Sequence, residues 1–394
     1  MVETLNTKSD RDAFNFKQTI SIDRQLTYAE YFAGIGLVRL ALEQAGWRIA
    51  FANDWDASKF QMYSSYFKDA RQHYLVEDIF KIGDRPIPPT LLATASFPCI
   101  DLSLAGNLTG INGKNSSAFW GFIQVLEKQS PKPPIVLLEN VMGWLTSNSG
   151  RDFRITIQAL NRLGYACDIF AIDAAHFVPQ SRLRVFAIAF QTDRVNNDIE
   201  TLTKRHSSLI TNRLKQAIEG NRDLNWNFLN IPALPERKVG NLAAIVETLG
   251  DRDPRWWSDN EVQRHLNMMS ANNLSYVQRI KDNPNYSYCT MYRRVRNKQQ
   301  RVEIRKDGIA GCLRTARGGS SRQMLIRAGR GSIKMRLMTP REYARLQGVP
   351  DNYPIPLKVN QALTGFGDAV CVPVVRWIAE HILNPLALSI IHRQ

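Results

Sequence analysis

Cysteine is scarce and scattered in this chain. Its 394 residues include five, Cys99, Cys167, Cys289, Cys312 and Cys371. None forms a C-x-x-C pair and none has histidine at zinc-ligand spacing, which argues against a structural zinc site. An odd, dispersed set fits free thiols in a reducing compartment. Long hydrophobic runs are missing too: no uninterrupted apolar stretch nears the ~20 residues of a membrane span. Residues 1–10 are polar and carry no apolar signal core. The expectation is a soluble, cytoplasmic protein without a membrane partner. Internal repeats and low-complexity tracts are absent as well.

Acidic residues are rare in one window. The net charge is +15, and residues 291–336 hold fourteen Lys/Arg against only Glu303 and Asp307. That window carries +12 and leaves +3 for everything else. Its arginines are interleaved with Gly and Ser rather than spaced along a helix face. Concentrated charge of this kind reads as a polyanion footprint.

Apolar residues make up 44% of the chain, an ordinary globular content, and the length allows one large domain plus a smaller one. Strands are expected over 26–32, 49–52, 91–96, 135–138, 166–172 and 185–190. Helices are expected over 37–45, 59–67, 118–128 and 153–163, with Gly46 and Gly164 as stops. This alternation predicts an α/β fold with a mostly parallel sheet covered on both faces. The pattern breaks after Phe190. Residues 1–26 read as an N-terminal arm, 27–190 as the main domain, 191–333 as a second, smaller domain, and 334–394 as a segment that returns to the first.

Phe32-Ala33-Gly34-Ile35-Gly36 lies between a strand and a helix, where small residues let the backbone approach a ligand at a helix N-terminus. It lacks the third glycine of the dinucleotide pattern, so by itself a plain turn explains it equally well. Asp54 follows the next strand, about twenty residues on, where a carboxylate can accept both ribose hydroxyls. Trp55 and Phe32 can sandwich an adenine ring. Asp78-Ile79 can supply an acceptor for the adenine amino group.

Pro98-Cys99 ends a further apolar stretch, with proline fixing the backbone before the sulfur. Glu139 follows the apolar residues 135–138, so burial should raise its pKa, and a carboxyl near neutrality can protonate a ring nitrogen. Asn140 can hold the local turn. Arg182 and Arg184 alternate after Gln180 and should share a face, with forks suited to carbonyl or phosphate oxygens.

In this order the segments resemble the DNA (cytosine-5)-methyltransferases. The matching segments are Phe32-Ala33-Gly34-Ile35-Gly36, Phe97-Pro98-Cys99 with Ser103, Glu139-Asn140-Val141, Val178-Pro179-Gln180-Ser181-Arg182-Leu183-Arg184, Arg336 with Thr339-Pro340-Arg341-Glu342, and Gly367 with Val370 to Pro373. The resemblance covers residue 27 to about 380. It implies a Rossmann-like S-adenosylmethionine-dependent fold with a smaller target-recognition domain. By the same resemblance Cys99 attacks C6 of cytosine, Glu139 protonates N3, Arg184 binds O2 and Arg182 shapes the site. S-adenosylmethionine supplies the methyl group and lies near Pro98, Asp368 and Ala369. The cytosine is flipped out of the duplex, and residues 103–117 close over it. Residues 191–333 read the groove. Arg293, Arg294, Arg296, Arg314, Thr315, Arg317, Ser321 and Arg322 join Ser103 and Gln180 as candidate DNA contacts. The implied partner is double-stranded DNA, bound by a monomer, with or without a cognate restriction endonuclease.

Two positions depart from the family pattern. Ile100 stands where glutamine is usual, and Asp368 stands where asparagine is usual. A carboxylate at 368 would repel the cofactor's own carboxylate and attract its ammonium, which raises altered cofactor handling, such as preference for a carboxylate-free analogue. Two other functions fit parts of the pattern. An RNA-directed methyltransferase would use the same catalytic residues but need less chain between Arg184 and Arg336. A DNA-binding module without catalysis would have no use for Cys99, Glu139 and Arg184 together.

Overall fold

The computed structural model describes residues 26–97, 118–192, 197–237, 242–296, 298–315 and 322–392. Strands β1 (Thr27–Tyr31), β2 (Arg48–Asp54), β3 (Tyr74–Val76), β4 (Leu92–Ala95), β5 (Ile135–Val141), β6 (Ala166–Asp173) and β7 (Leu183–Phe190) form one sheet in the order β3-β2-β1-β4-β5-β7-β6. Its pairs are parallel except those of β7, which runs against both β5 and β6. The chain order reverses direction between β1 and β4. In such sheets ligands bind at this switch point, outside the carboxyl ends of the strands.

Helices α1 (Leu37–Gln44), α2 (Ala57–Tyr66), α3 (Ala118–Lys128) and α4 (Arg151–Arg162) cross between these strands. Gly46 and Gly164, both at φ 90°, terminate α1 and α4. Two apolar layers sandwich the sheet. Tyr28, Leu92, Leu137 and Ile188 face one, and Ala29, Ala93, Val136 and Ala187 face the other, as alternate residues of buried strands must. β5 continues past the expected 135–138 through Val141, because Glu139 and Asn140 pair with Phe186 and Val185 of β7. Glu139 is therefore part of the strand, not its tip.

Residues after Phe190 were expected to belong to a separate domain. Helices α5 (Ile199–Lys204) and α6 (Asn212–Glu219) instead pack on the first unit. Leu202, Leu214, Ile218, Leu224, Trp226 and Phe228 all join the apolar layer beneath the sheet. The buried Arg205 guanidinium grips both oxygens of Asp168 on β6, at 3.0 and 2.8 Å. These contacts join residues far apart in sequence, so local periodicity could not reveal them.

The second unit is an antiparallel sheet in the order β11-β10-β8-β9, made of β8 (Ser287–Arg296), β9 (Gln299–Ile304), β10 (Met324–Gly329) and β11 (Ser332–Leu337). Helices α7 (Asp259–Asn267) and α8 (Ala271–Lys281) cover one face. They share a small core of Val262, Leu266, Val277, Met291, Val302, Ile326 and Met335.

Helices α9 (Pro340–Leu346), α10 (Val359–Asp368), α11 (Val372–Ile378) and α12 (Asn384–Ile391) return to the first unit. Thr339 and Glu342 form a capping box at the start of α9. Glu342 also holds the fully buried Arg336 through both carboxylate oxygens. Asn384 accepts from Trp47 Nε1 at 2.6 Å and donates to Ala45 O at 3.0 Å. The stretch Val359–Ile391 is long and apolar enough to cross a membrane, but 72% of its most apolar window is buried as core.

Candidate active site

The carboxyl ends of β1, β2, β4 and β5 lie along one edge of the sheet, and β7 begins there. The turn after β1 is tight. Phe32 adopts φ 58°, which costs a non-glycine residue energy, and Gly36 sits at φ 82° in front of α1. A Cβ on Gly36 would lie 2.6 Å from the Phe67 ring and 2.7 Å from the Tyr63 ring, so no larger residue fits. Gly34 differs: an added Cβ would meet nothing nearer than 3.9 Å, which leaves its outer side open to a ligand. The side chains of Ala33 and Ile35 are buried, so these residues face the edge only through their backbone.

Asp54, at the end of β2, is buried. It accepts from Gly34 N at 2.9 Å and Asp56 N at 3.0 Å. Burial raises its pKa, while Lys59 and these two backbone donors pull it back. A carboxylate has acceptor capacity beyond two bonds. Trp55 beside it is 78% exposed, which is unusual for so large an apolar ring. Asp78 is exposed and caps a short turn by accepting from Phe80 N at 3.0 Å, while Ile79 is buried. Two residues that the sequence did not mark hold this half in shape. Asn53 Nδ2 donates to Leu75 O and Glu77 O at 3.0 and 2.8 Å, and Tyr74 OH donates to Gly34 O at 3.2 Å. An open glycine cradle, a buried carboxylate and a bare indole fit an adenosine-containing group.

The other half lies at the ends of β4 and β5. Asn140 Nδ2 donates to Phe97 O at 3.2 Å and its Oδ1 accepts from Val141 N at 2.8 Å. This bond ties the chain leaving β4 to β5. Arg184 pairs with Val141 in the strand register, and its Nε is 3.1 Å from Glu139 Oε1. The Glu139 carboxylate thus faces a guanidinium rather than an apolar cage. Pro98, Cys99, Ser103, Arg317 and Ser321 lie outside the described residues, as does the whole of 103–117.

Two expected contacts take a different place. Gln180 was expected to touch DNA, but it is fully buried. Its Nε2 donates to Leu346 O at 2.8 Å and its Oε1 accepts from Leu313 N at 3.1 Å. With both ends of its amide engaged, it joins β7 to the C-terminal segment. Arg182 was expected to act beside Arg184, but it is also buried. It donates to Leu313 O at 2.9 Å, to Ala369 O at 2.7 Å and to Gly367 O at 3.3 Å. It positions the Gly367–Ala369 backbone and offers no free face to a substrate. Cys312, which the sequence left without a role, lies 3.6 Å from Arg182 Nη1 and 3.7 Å from Arg184 Nη2.

Arg294 and Arg296 are exposed near the tip of the β8–β9 hairpin, with Arg293 half-buried before them. Arg296 pairs with Glu303 at 3.2 Å, and Arg294 lies 4.7 Å over the Tyr292 ring. Arg314 is exposed, Thr315 donates to Asp368, and Arg322 binds the Asn360 side chain.

A family model described as C-5 cytosine-specific DNA methylase matches residues 26–384. The chain is 27% identical over 359 residues to Type II methyltransferase M.SsoII of Shigella sonnei, covering 91% of this chain and 80% of that protein. It is 24% identical over 372 residues to Type II methyltransferase M.HhaI of Haemophilus parahaemolyticus, covering 92% and 97%. Among solved structures, the S. pombe Dnmt2 methyltransferase superposes with a TM-score of 0.57 at 17% identity, covering 92% of this chain and 99% of that one, a likeness of fold. The seven-stranded sheet is that of the Rossmann-like S-adenosylmethionine-dependent methyltransferases. With the match running from β1 into α12, the chain belongs to the C-5 cytosine-specific DNA methylase family.

Proposed function

We propose that this enzyme methylates C5 of a cytosine rotated out of double-stranded DNA, through a transient bond between Cys99 and C6. The observation that supports the reading is the Asn140–Phe97 hydrogen bond, which ties Phe97, two residues before Cys99 in sequence, to the strand that carries Glu139. Bound S-adenosylmethionine supplies an electrophilic methyl group on a sulfonium. The chain's residues make the base reactive toward it. Addition of the Cys99 thiolate to C6 pushes electron density toward C5. Glu139, in its protonated form, donates its proton to N3, where negative charge develops, and Arg184 donates hydrogen bonds to O2. After methylation, transfer of the C5 proton to water, return of the N3 proton to Glu139 and departure of the Cys99 sulfur as thiolate restore the aromatic ring.

Gly34, Asp54, Trp55, Phe32 and Asp78 would hold the adenosine half of the cofactor. The exposed arginines of the β8–β9 hairpin, with Arg314 and Arg322, would contact phosphates and groove, so that the second unit selects the target sequence. Acting as a monomer in the cytoplasm, the enzyme would mark DNA either alone or alongside a restriction endonuclease. Bisulfite sequencing of DNA from cells expressing the chain tests this function. Methylcytosine at one recurring sequence supports it, and unmodified DNA from cells holding folded protein refutes it.

A further inference from the structure

Helix α10 packs on the glycine-rich turn. A Cβ on Gly365 would meet Ile35 Cγ2 at 3.1 Å and the Met62 sulfur at 2.8 Å. Asp368 ends this helix. Lys59, in the first turn of α2, reaches over the same glycine turn, with its Cδ 3.9 Å from where a Cβ on Gly34 would stand. The two side chains meet there: Lys59 Nζ is 3.5 Å from Asp368 Oδ2, with 23% and 31% of the side chains exposed. The carboxylate is held from behind. Thr315 Oγ1 donates to Asp368 Oδ1 at 2.5 Å, and Gly367 packs so tightly on Arg314 that an added Cβ would lie 2.4 Å from its carbonyl oxygen.

We propose that Lys59 and Asp368 form the receptor for the zwitterionic amino-acid end of S-adenosylmethionine. Lys59 takes its α-carboxylate and Asp368 its α-ammonium. The proposal rests on the reading that the adenosine half binds at Gly34, Asp54 and Trp55. A carboxylate alone at position 368 would repel one end of the zwitterion. Paired with Lys59, it presents a cation and an anion side by side, which match the ligand's own two charges head to tail. Both groups can accept another partner, since an ammonium carries several donors and a carboxylate several acceptor sites. The arrangement accounts for an acid where the family resemblance leads one to expect asparagine. It also predicts retention of the ordinary cofactor over a carboxylate-free analogue.

Calorimetric binding to the full chain tests this with three probes: S-adenosylmethionine, its decarboxylated form, and 5′-methylthioadenosine, which lacks the amino-acid end. Lys59→Gln should weaken S-adenosylmethionine about ten-fold, the scale of one hydrogen bond to a charged group, and leave the decarboxylated form within about two-fold. Asp368→Asn should weaken both, since both keep the ammonium. Neither variant should alter binding of 5′-methylthioadenosine. The proposal is overturned if Lys59→Gln weakens both sulfonium ligands equally, or if neither variant affects S-adenosylmethionine. Loss of 5′-methylthioadenosine binding in the variants would also overturn it, by assigning the pair to holding the turn. Wild-type protein that binds none of the three would instead sink the underlying cofactor reading.

Discussion

The Glu139 carboxylate and the Arg184 guanidinium stand 3.1 Å apart at the sheet edge, and in the proposed reaction each would exchange the other for a polar edge of a pyrimidine. Lysine at 184 would keep the charge but lose the planar fork. Arg184→Lys should lower kcat/KM for DNA by about 10- to 100-fold, with little change in melting temperature, as steady-state methyl transfer and thermal unfolding would report. Arg182 should behave differently. Bound to the backbone carbonyls of Leu313, Gly367 and Ala369, it acts through the Gly367–Ala369 backbone. Glu30 on β1 is a buried acid whose Oε2 lacks a hydrogen bond. Burial raises its pKa well above 4.5; Arg39 opposes this, and Asp54 and Glu43 add to it. Because the native state favours the protonated form, the stability Glu30 contributes is full below the ordinary carboxylate range and is lost as pH rises through its native pKa. Glu30→Gln, which cannot ionise, should therefore match wild type in acid and be increasingly more stable above it. Urea unfolding at a series of pH values checks this, and a constant difference across the series would contradict it.

The same contrast between local and distant partners governs the elements. Arg205 and Asp168 form a buried, doubly hydrogen-bonded pair that pins α5 to β6. Removing one member leaves an uncompensated buried charge, so Arg205→Met should cost about 3–5 kcal/mol of stability in denaturant unfolding. Replacing both partners by apolar residues should cost less. This pair also marks where the sequence stops being legible. Strands β1, β2, β4 and β6 announce themselves as apolar runs, and α3 (Ala118–Lys128) spans the segment its periodicity predicts. The attachment of residues 199–234 to the first unit depends on Arg205–Asp168 and on Trp226 packing beside Phe153. No window of local sequence contains both sides of those contacts. The candidate site divides the same way. Gly34, Asp54 and Glu139 are legible because chemistry demands a residue type at or near the carboxyl end of a strand. Lys59 is not, because its meaning comes from Asp368 on another helix. Gln180 and Arg182 carry polar groups suited to DNA, yet the fold buries both and uses them on backbone atoms.

Across the whole molecule, +12 of the +15 charge falls in residues 291–336, and the β8–β9 hairpin exposes part of it through Arg294 and Arg296. Each phosphate that this surface neutralises releases counterions, so affinity for DNA should fall steeply with salt. Replacing Arg294 and Arg296 by alanine should lessen the slope of log K against log salt by about 0.9 for each phosphate left without its arginine. Titrations of duplex DNA at several salt concentrations would measure it, and an unchanged slope would remove this hairpin from the DNA interface. In the proposed function, cofactor turn, catalytic edge and basic hairpin would serve one event, the attack of a sulfur on an extruded cytosine, and that event can be caught. Duplex DNA bearing 5-fluorocytosine at the target blocks proton loss from C5 and leaves the enzyme attached. Incubated with S-adenosylmethionine, digested and mapped by mass spectrometry, the wild-type protein should carry the nucleotide on Cys99, while Cys99→Ala should bind DNA without forming the adduct. An adduct on another residue, or methylation by Cys99→Ala near the wild-type rate, would contradict the account.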